Sequence, residues 1–160
     1  MVKPNGLIIC NISGFDKRNL KLAEYAEDAE PLNELEGQFR IIEIDVTRLT
    51  REALKQSSLT NKERDRSKNM FVLGFIYWLY HRKLDHTESF LSDKFKAKPE
   101  IAEANIQVLK AGYNYGITTE STFERYEIKP AKMPSGTYRN IVGNQGLAIG
   151  LTAAAKKAGL

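Results

Sequence analysis

The feature that most restricts the fold is the run MFVLGFIYWLY at residues 70–80. It is apolar on every side of a helix, yet it is well short of the ~20 residues that a helix needs to span a bilayer. A helix that is apolar all round is stable only where other elements cover it. The run therefore predicts a core helix enclosed by the rest of a soluble domain, with no membrane association.

Composition allows one domain and gives little support for nucleic-acid binding. The chain has 160 residues, 42% of them hydrophobic, which is enough to build one core. Lys and Arg number 24 against 20 Asp and Glu, so the net charge is +4. The two signs alternate, as in TNKERDRSK at 60–68, and no single-sign surface develops. A small nucleic-acid-binding domain, suggested only by the pI of 9.1, is the weakest alternative and predicts steeply salt-dependent binding.

The reactive residue types are few and do not form a recognisable catalytic motif. The one cysteine, Cys10, lies in the apolar run GLIICNI and is typical of a buried strand residue. One cysteine excludes a disulfide framework and a cysteine-ligated cluster within the chain, and it fits a cytoplasmic protein. His81 and His86 are not spaced as a helical zinc pair. The sequence therefore predicts no catalytic residue and no metal site.

Two apolar segments predict strands in an α/β fold. GLIICNI at 6–12 is a short continuous apolar run that follows a turn, and FRIIEIDV at 39–46 is rich in Ile and Val. TRLTREALKQ at 47–56 predicts a helix, with Thr47 or Thr50 as its N-cap. Two strands are fewer than an α/β domain normally has, so we expect part of a sheet.

The middle of the chain predicts helices. Residues 61–83 are interpreted as one long helix, polar at its start and buried later. Residues 85–98 predict a second helix capped by Thr87, and 99–116 predict an amphipathic third helix that ends at Gly116. The last two helices are expected to form a hairpin.

The composition changes after the third of these helices. Residues 124–136 contain a candidate short strand, then prolines, a glycine and lysines, which is typical of a linker. Residues 145–158 then predict another helix that is apolar on almost every side. Such a helix is expected to be covered by a larger body, and the chain has no further segment to cover it.

Two short segments contain candidate binding residues. In RSKNMF, Arg66, Lys68 and Asn69 lie where the polar part of the predicted helix meets its apolar part. These residues either face a partner or an anionic ligand, or simply mark the point at which the helix becomes buried. In AGYNYG, Tyr113 and Asn114 either line a ligand site or pack at a helix end. The residues alone leave both alternatives open.

Several long segments together resemble one family. DRSKNMFVLGFIYWLY, KFKAKPEIAEANIQVLKAGYNYGITTE and GTYRNIVGNQGLAIGLTAAAKKAGL, in this order, are similar to the alpha subunit of 2-oxoacid:ferredoxin oxidoreductases, most of all its 2-oxoglutarate branch. The resemblance covers nearly the whole chain. It implies the C-terminal part of a gamma-type, Rossmann-like α/β domain at 1–129, with a helical C-terminal part. It further implies a linker at 130–140, and at 141–160 the first helix of a domain that binds the pyrimidine ring of thiamine diphosphate.

The resemblance also implies an activity, which is the oxidative decarboxylation of a 2-oxoacid to an acyl-coenzyme A. The full complex would hold thiamine diphosphate, coenzyme A and an iron–sulfur cluster. Its partners would be a thiamine-binding beta subunit and a ferredoxin-type acceptor, in a homo- or hetero-oligomer without nucleic acid or membrane. This chain alone is expected to be inactive. The alternative is a non-catalytic protein-interaction module derived from that subunit.

The same resemblance suggests roles for five residues. Lys68, Asn69, Tyr113 and Asn114 are the candidates for contacts with coenzyme A or with another subunit. Asn144, before the last helix, is expected to face the thiamine-binding domain. No catalytic residue and no metal ligand are expected within the chain.

Overall fold

The structure is a computed structural model that describes residues 2–26, 29–35, 37–119 and 124–159. Its fold class is α/β, as the sequence predicts, with a small parallel sheet followed by a mainly helical part. The strands are β1 (Leu7–Asn11) and β2 (Arg40–Ile44), and the helices are α1 (Lys17–Leu22), α2 (Val46–Ala53), α3 (Asn61–Arg66), α4 (Lys68–Leu79), α5 (Asp85–Lys94), α6 (Pro99–Thr118) and α7 (Gly143–Ala158).

The two predicted strands are confirmed, and they pair in parallel. The register runs from Leu7 opposite Arg40 to Asn11 opposite Ile44. Continuous apolar runs are typical of parallel strands, which are covered on both faces. Cys10 is 7% exposed, which confirms that it is a buried strand residue.

The predicted core helix is confirmed as α4, which packs against β2, α2 and α6. The apolar core is continuous across these elements, as expected for a domain with one core. Its buried members are Ile42, Ile44, Val46, Leu54, Leu59, Phe71, Phe75, Trp78, Leu79, Ala104 and Val108.

Helices α4 and α6 touch through glycines. A Cβ atom placed on Gly74 would lie 1.9 Å from the carbonyl oxygen of Leu109, and one placed on Gly112 would lie 1.9 Å from the carbonyl oxygen of Phe71. Since any Cβ would overlap the opposite backbone, only glycine allows the helices to approach this closely. The crossing of α4 and α6 is therefore fixed by backbone contact.

The prediction of one long helix over 61–83 is wrong, because the helix breaks at Ser67. The Ser67 amide donates to the carbonyl oxygen of Arg64 at 3.0 Å, and the Met70 amide donates to that of Ser67 at 2.9 Å. These three-residue turns replace the regular i−4 bonds between α3 and α4. The polar α3 thereby forms a separate short helix without buried residues, while the apolar α4 packs in the core.

The predicted helix caps are also wrong. The carboxylate of Asp45, rather than Thr47 or Thr50, caps α2 by accepting from the Arg48 amide at 3.0 Å. Because α5 begins at Asp85, Thr87 lies inside its first turn and its hydroxyl pairs with that of Tyr77 at 2.8 Å. In both helices an aspartate comes before the threonine that the sequence pattern favours.

Gly116 does not end the third predicted helix, since α6 continues to Thr118. A Cβ atom on Gly116 would lie 2.3 Å from the ring of Trp78, so this glycine is required by packing inside the helix. The predicted short strand after residue 123 is absent from residues 124–128, which the structure describes in full. Instead, the Tyr126 amide donates to the Leu79 carbonyl oxygen at 2.8 Å, at the end of α4.

The chain divides into two units, Met1–Ile128 and Lys129–Leu160. In the second unit, residues 129–142 form neither helix nor strand, and α7 follows. Leu147, Ile149 and Leu151 on α7 are 64%, 59% and 64% exposed. Among the helices that the structure describes, none has the length and apolar character required to cross a bilayer.

Candidate functional site

A cavity of about 400 Å³ opens beside the break between α3 and α4. Its volume is within the range of small-molecule pockets. The end of the α2–α3 loop, the break itself and the turn from α5 into α6 form its walls. The lining residues are Leu59, Glu63, Arg66, Ser67, Phe95, Lys98, Glu100, Ile101 and Asn105.

The inner part of the cavity is apolar except for two polar side chains. Ser67 is 4% exposed, and its side chain does not cap α4. The side-chain amide of Asn105 donates to the Ile101 carbonyl oxygen at 2.8 Å, which leaves its own oxygen as an acceptor. Leu59 is 8% exposed and contributes to the apolar wall. The cavity thus offers one donor and one acceptor within an apolar surface.

The entrance of the cavity carries two cations and two carboxylates. Arg66, Lys98 and Glu100 are exposed, whereas Glu63 is half-buried. The Thr60 hydroxyl and amide donate to the Glu63 carboxylate at 2.7 and 2.9 Å. These bonds, with smaller contributions from Arg66 and Lys98, hold the pKa of Glu63 below its usual range. Glu63 is therefore ionised and already engaged in capping α3.

The helix break adds a positive end to the cavity. Ser67 is the N-cap residue of α4, a helix that runs for twelve residues to Leu79. The first amides of a helix lack intrahelical partners, and its N-terminus carries a partial positive charge. Since no acidic residue lies in the first turn of α4, nothing within the helix itself opposes this charge.

The residues predicted to bind a ligand lie on three different helices. Lys68 is half-buried and Asn69 is exposed, both directly after Ser67 at the start of α4. Tyr113 packs against the core from α6, while Asn114 points outward and is exposed. Asn144 is exposed at the start of α7, in the second unit. Arg66, part of the predicted polar border, lines the cavity together with Ser67, which the sequence analysis did not single out.

The sequence analysis missed a second polar cluster where the two strands end. The Asn11 side-chain amide donates to Thr47 Oγ1 at 3.2 Å, Thr47 and Ser13 share a hydrogen bond at 2.5 Å, and Ser13 Oγ donates to Asn11 Oδ1 at 3.1 Å. Asn11 Oδ1 also accepts from the Val46 amide at 3.1 Å. Both hydroxyl protons are used within this ring, which joins β1 to α2. Its signal in the sequence was the set of short polar residues at or just beyond the carboxyl end of each strand, namely Asn11, Ser13 and Thr47.

The donor set does not suit a metal centre or an iron–sulfur cluster. Among the described residues, no three His, Cys, Asp or Glu side chains come together. Cys10 is the one cysteine, whereas a cluster requires about four such ligands. Burial, and then the Glu43 carboxylate, raise the pKa of the Cys10 thiol, so it remains protonated at neutral pH.

Comparison with known proteins places the chain in a family. Residues 1–115 match the family model described as pyruvate ferredoxin/flavodoxin oxidoreductase. Over 155 residues, 97% of this chain, it is 44% identical to the 2-oxoglutarate oxidoreductase subunit KorA of Mycobacterium tuberculosis. The aligned part is 24% of that protein, so the chain spans about a quarter of its relative. No solved structure matches significantly. Since the family model covers well over half of its residues, the chain belongs to the pyruvate ferredoxin/flavodoxin oxidoreductase family.

Proposed function

We propose that this chain is a portion of the alpha subunit of a 2-oxoacid:ferredoxin oxidoreductase, with 2-oxoglutarate as the substrate. The observation that carries the proposal is the 44% identity, over 97% of the chain, to a relative named as a 2-oxoglutarate oxidoreductase subunit. The reaction is the oxidative decarboxylation of the 2-oxoacid to an acyl-coenzyme A, with electrons passing to ferredoxin. A thiamine-binding beta subunit and a ferredoxin-type acceptor complete the oligomeric, cytoplasmic system.

Within that complex the chain contributes binding surface rather than catalytic groups. Thiamine diphosphate supplies the carbanion chemistry of decarboxylation when it is bound, and its site requires residues outside this chain. Lys68 and Asn69 at the start of α4, and Tyr113 and Asn114 on α6, are proposed to contact coenzyme A or a neighbouring subunit. Their support is that Asn69 and Asn114 are exposed on rigid helices, where they are accessible to a partner.

The proposed domain organisation follows the family. Residues 1–129 are the C-terminal part of a gamma-type domain, 130–140 are a linker, and 141–160 begin a pyrimidine-binding domain that Asn144 faces. The division of the chain after Ile128 supports the first boundary. The exposed apolar side chains of α7 support the presence of a covering domain in the complete subunit.

The alternative is a non-catalytic interaction module, which the exposed apolar side chains of α7 equally favour. The intact mass of the native polypeptide in its source cells separates the two proposals. A mass far above 18.1 kDa is expected for a portion of the alpha subunit. A native mass of 18.1 kDa would instead favour the interaction module.

The functional test uses the native polypeptide with its partner subunits and measures 2-oxoglutarate- and coenzyme A-dependent reduction of ferredoxin. Asn69→Ala or Asn114→Ala is expected to raise the KM for coenzyme A or to weaken subunit association. Asn61→Ala, on the exposed start of α3, is the matched control and should change neither. Unchanged KM and unchanged assembly in both variants would contradict the proposed contacts. An assembled complex without 2-oxoacid-dependent reduction would contradict the enzymatic assignment.

A further inference from the structure

The cavity beside the α3–α4 break contains the side-chain hydroxyl of Ser67. Ser67 is 4% exposed and lines the cavity, and its side chain does not cap α4. Its hydrogen bonds to Arg64 and Met70 are made by its backbone. The fully buried side-chain atoms without a partner among the described residues are Thr50 Oγ1 and Arg64 Nε, so the Ser67 hydroxyl remains accessible from the cavity. Leu59, Phe95 and Ile101 surround the same space with apolar surface. The hydroxyl is therefore well placed to meet a ligand that is mainly apolar.

The charges around the cavity favour one negative charge on that ligand. The lining contains two cations, Arg66 and Lys98, and two carboxylates, Glu63 and Glu100, so the side-chain charges balance. No two of these four residues form an ion pair within 4 Å among the described salt bridges. The N-terminus of α4 adds a partial positive charge beside Ser67. A dianion would be repelled by the two carboxylates, whereas a monoanion gains from the helix end and one cation.

We propose that this cavity binds a monocarboxylate with a compact apolar body. The Ser67 hydroxyl donates to the carboxylate at the N-terminus of α4, and Arg66 and Lys98 attract its charge. The apolar body lies against Leu59, Phe95 and Ile101. The volume of about 400 Å³ accommodates a ligand of this size. This inference depends only on the cavity, so it stands or falls separately from the oxidoreductase assignment.

The test is a titration of the isotope-labelled 160-residue chain with hexanoate, followed by amide chemical shifts. Saturable shifts are expected at Ser67, Asn69 and Ile101, with a Kd on the order of a millimolar for so small a ligand. Hexanol has the same apolar body without the charge, and inorganic phosphate has charge without the apolar body. Both are expected to bind at least about tenfold more weakly, since each lacks half of the recognised chemistry.

Three variants separate the proposed contacts from a general effect of charge. Ser67→Ala is expected to weaken hexanoate binding about tenfold, and Arg66→Gln about threefold, because the first contact is buried and the second exposed. Lys62→Gln removes a cation from α3 outside the cavity lining and should change the Kd less than twofold, which is about the scale of distant screened charges. Thermal unfolding checks that each variant remains folded. Because Arg66 is exposed, its variant keeps the test valid if Ser67→Ala is unstable.

The competing outcomes are clear. Shifts that do not saturate, or that map away from the cavity, would overturn the site. Equal hexanoate binding by the native chain, Ser67→Ala and Arg66→Gln would overturn the assigned contacts. Phosphate binding as tightly as hexanoate would show a general anion site and refute the carboxylate class, and hexanol binding as tightly would show an uncharged apolar pocket. Saturable hexanoate binding that both cavity variants weaken, and Lys62→Gln does not, supports the proposal.

Discussion

Replacing Gly112 by Ala tests the backbone contact that fixes the core. The new Cβ atom would lie 1.9 Å from the carbonyl oxygen of Phe71, 2.7 Å from its carbonyl carbon and 3.0 Å from its Cα atom. Carbon atoms normally approach to about 3.5–4.0 Å. All three atoms belong to the backbone of α4, so a change of side-chain rotamer cannot remove the overlap. Relief therefore requires α4 and α6 to separate.

The magnitude follows from two opposing effects. Alanine favours an α-helix over glycine by about 1 kcal/mol, which stabilises α6 itself. Overpacking of a dense core costs about 1–3 kcal/mol and more where the backbone must shift. Here the helices must move apart by more than 1 Å, roughly the gap at which packed atoms lose a quarter to a half of their attraction. Phe75 and Val108, both 0% exposed, lose contacts in this way. With the upper end of the overpacking range, about 3 kcal/mol, and a gain of about 1 kcal/mol from alanine, we expect a net destabilisation of about 2 kcal/mol.

The assay is urea unfolding followed by the fluorescence of Trp78, the one tryptophan of the chain. It is 1% exposed and lies beside Gly116, so its emission reports directly on the contact between α4 and α6. The matched control is Gly150→Ala in α7, where no atom lies within 4 Å of the new Cβ position. This control should leave the Trp78 transition unchanged, whereas Gly112→Ala should move the midpoint to lower urea.

A second glycine makes the reasoning refutable. Gly74→Ala places its Cβ atom 1.9 Å from the Leu109 carbonyl oxygen and should have the same effect. Once one substitution has separated the helices, the second meets less overlap, so the double variant should lose clearly less than the sum of the two. An unchanged midpoint for Gly112→Ala, or strictly additive losses, would show that the helices are not held by backbone contact.

Three further predictions concern single side chains. Thr50 is fully buried with an unpaired hydroxyl, so Thr50→Val should stabilise the fold by about 1 kcal/mol in urea unfolding; a loss of stability would reveal a partner for that hydroxyl. Ser13→Ala opens the hydrogen-bonded ring with Asn11 and should cost about 1–2 kcal/mol in the same assay, and no loss would show that the ring adds nothing. Arg51 donates two hydrogen bonds of 2.7 Å to the Asp65 carboxylate and thereby lowers the pKa of that carboxylate. The stabilisation that this ion pair gives to the folded state is therefore fully present above the ordinary aspartate pKa of about 3.9. It is lost as the pH falls through the lowered pKa of Asp65. Asp65→Asn should therefore be less stable than the native chain at neutral pH and equally stable in strong acid; a constant difference across pH would contradict the ion pair.

The elements predicted correctly are those whose sequence pattern and burial agree. The run at 70–80 is apolar on all sides, so any compact structure must enclose it, and α4 lies in the core. β1 lies in a continuous apolar run of strand length, and β2 lies in a segment rich in Ile and Val, as suits a parallel sheet. For α4 and for both strands, the local pattern of apolar residues already shows that the segment must be buried.

The elements predicted wrongly depend on what lies across the interface. Glycine is a residue type that commonly ends helices, so the sequence suggested a helix end at Gly116. The ring of Trp78 packs on Gly116, however, and requires a glycine inside the helix. Ser67 does not stand out between charged residues, yet the helix breaks there. Thr47 is a plausible cap by its type, but its hydroxyl bonds Asn11, far away in sequence. A single sequence does not specify these long-range partners.

The candidate cavity follows from the same core helix that the sequence identified. Since α4 is apolar all round, it must enter the core, whereas α3 (Asn61–Arg66) is polar and must remain at the surface. The helix breaks at Ser67, between these two segments. The turn interrupts the backbone ladder, exposes the N-terminus of α4 beside a buried hydroxyl, and opens space next to the α5–α6 turn. The proposed carboxylate site therefore depends on the same break that separates the polar α3 from the core helix α4.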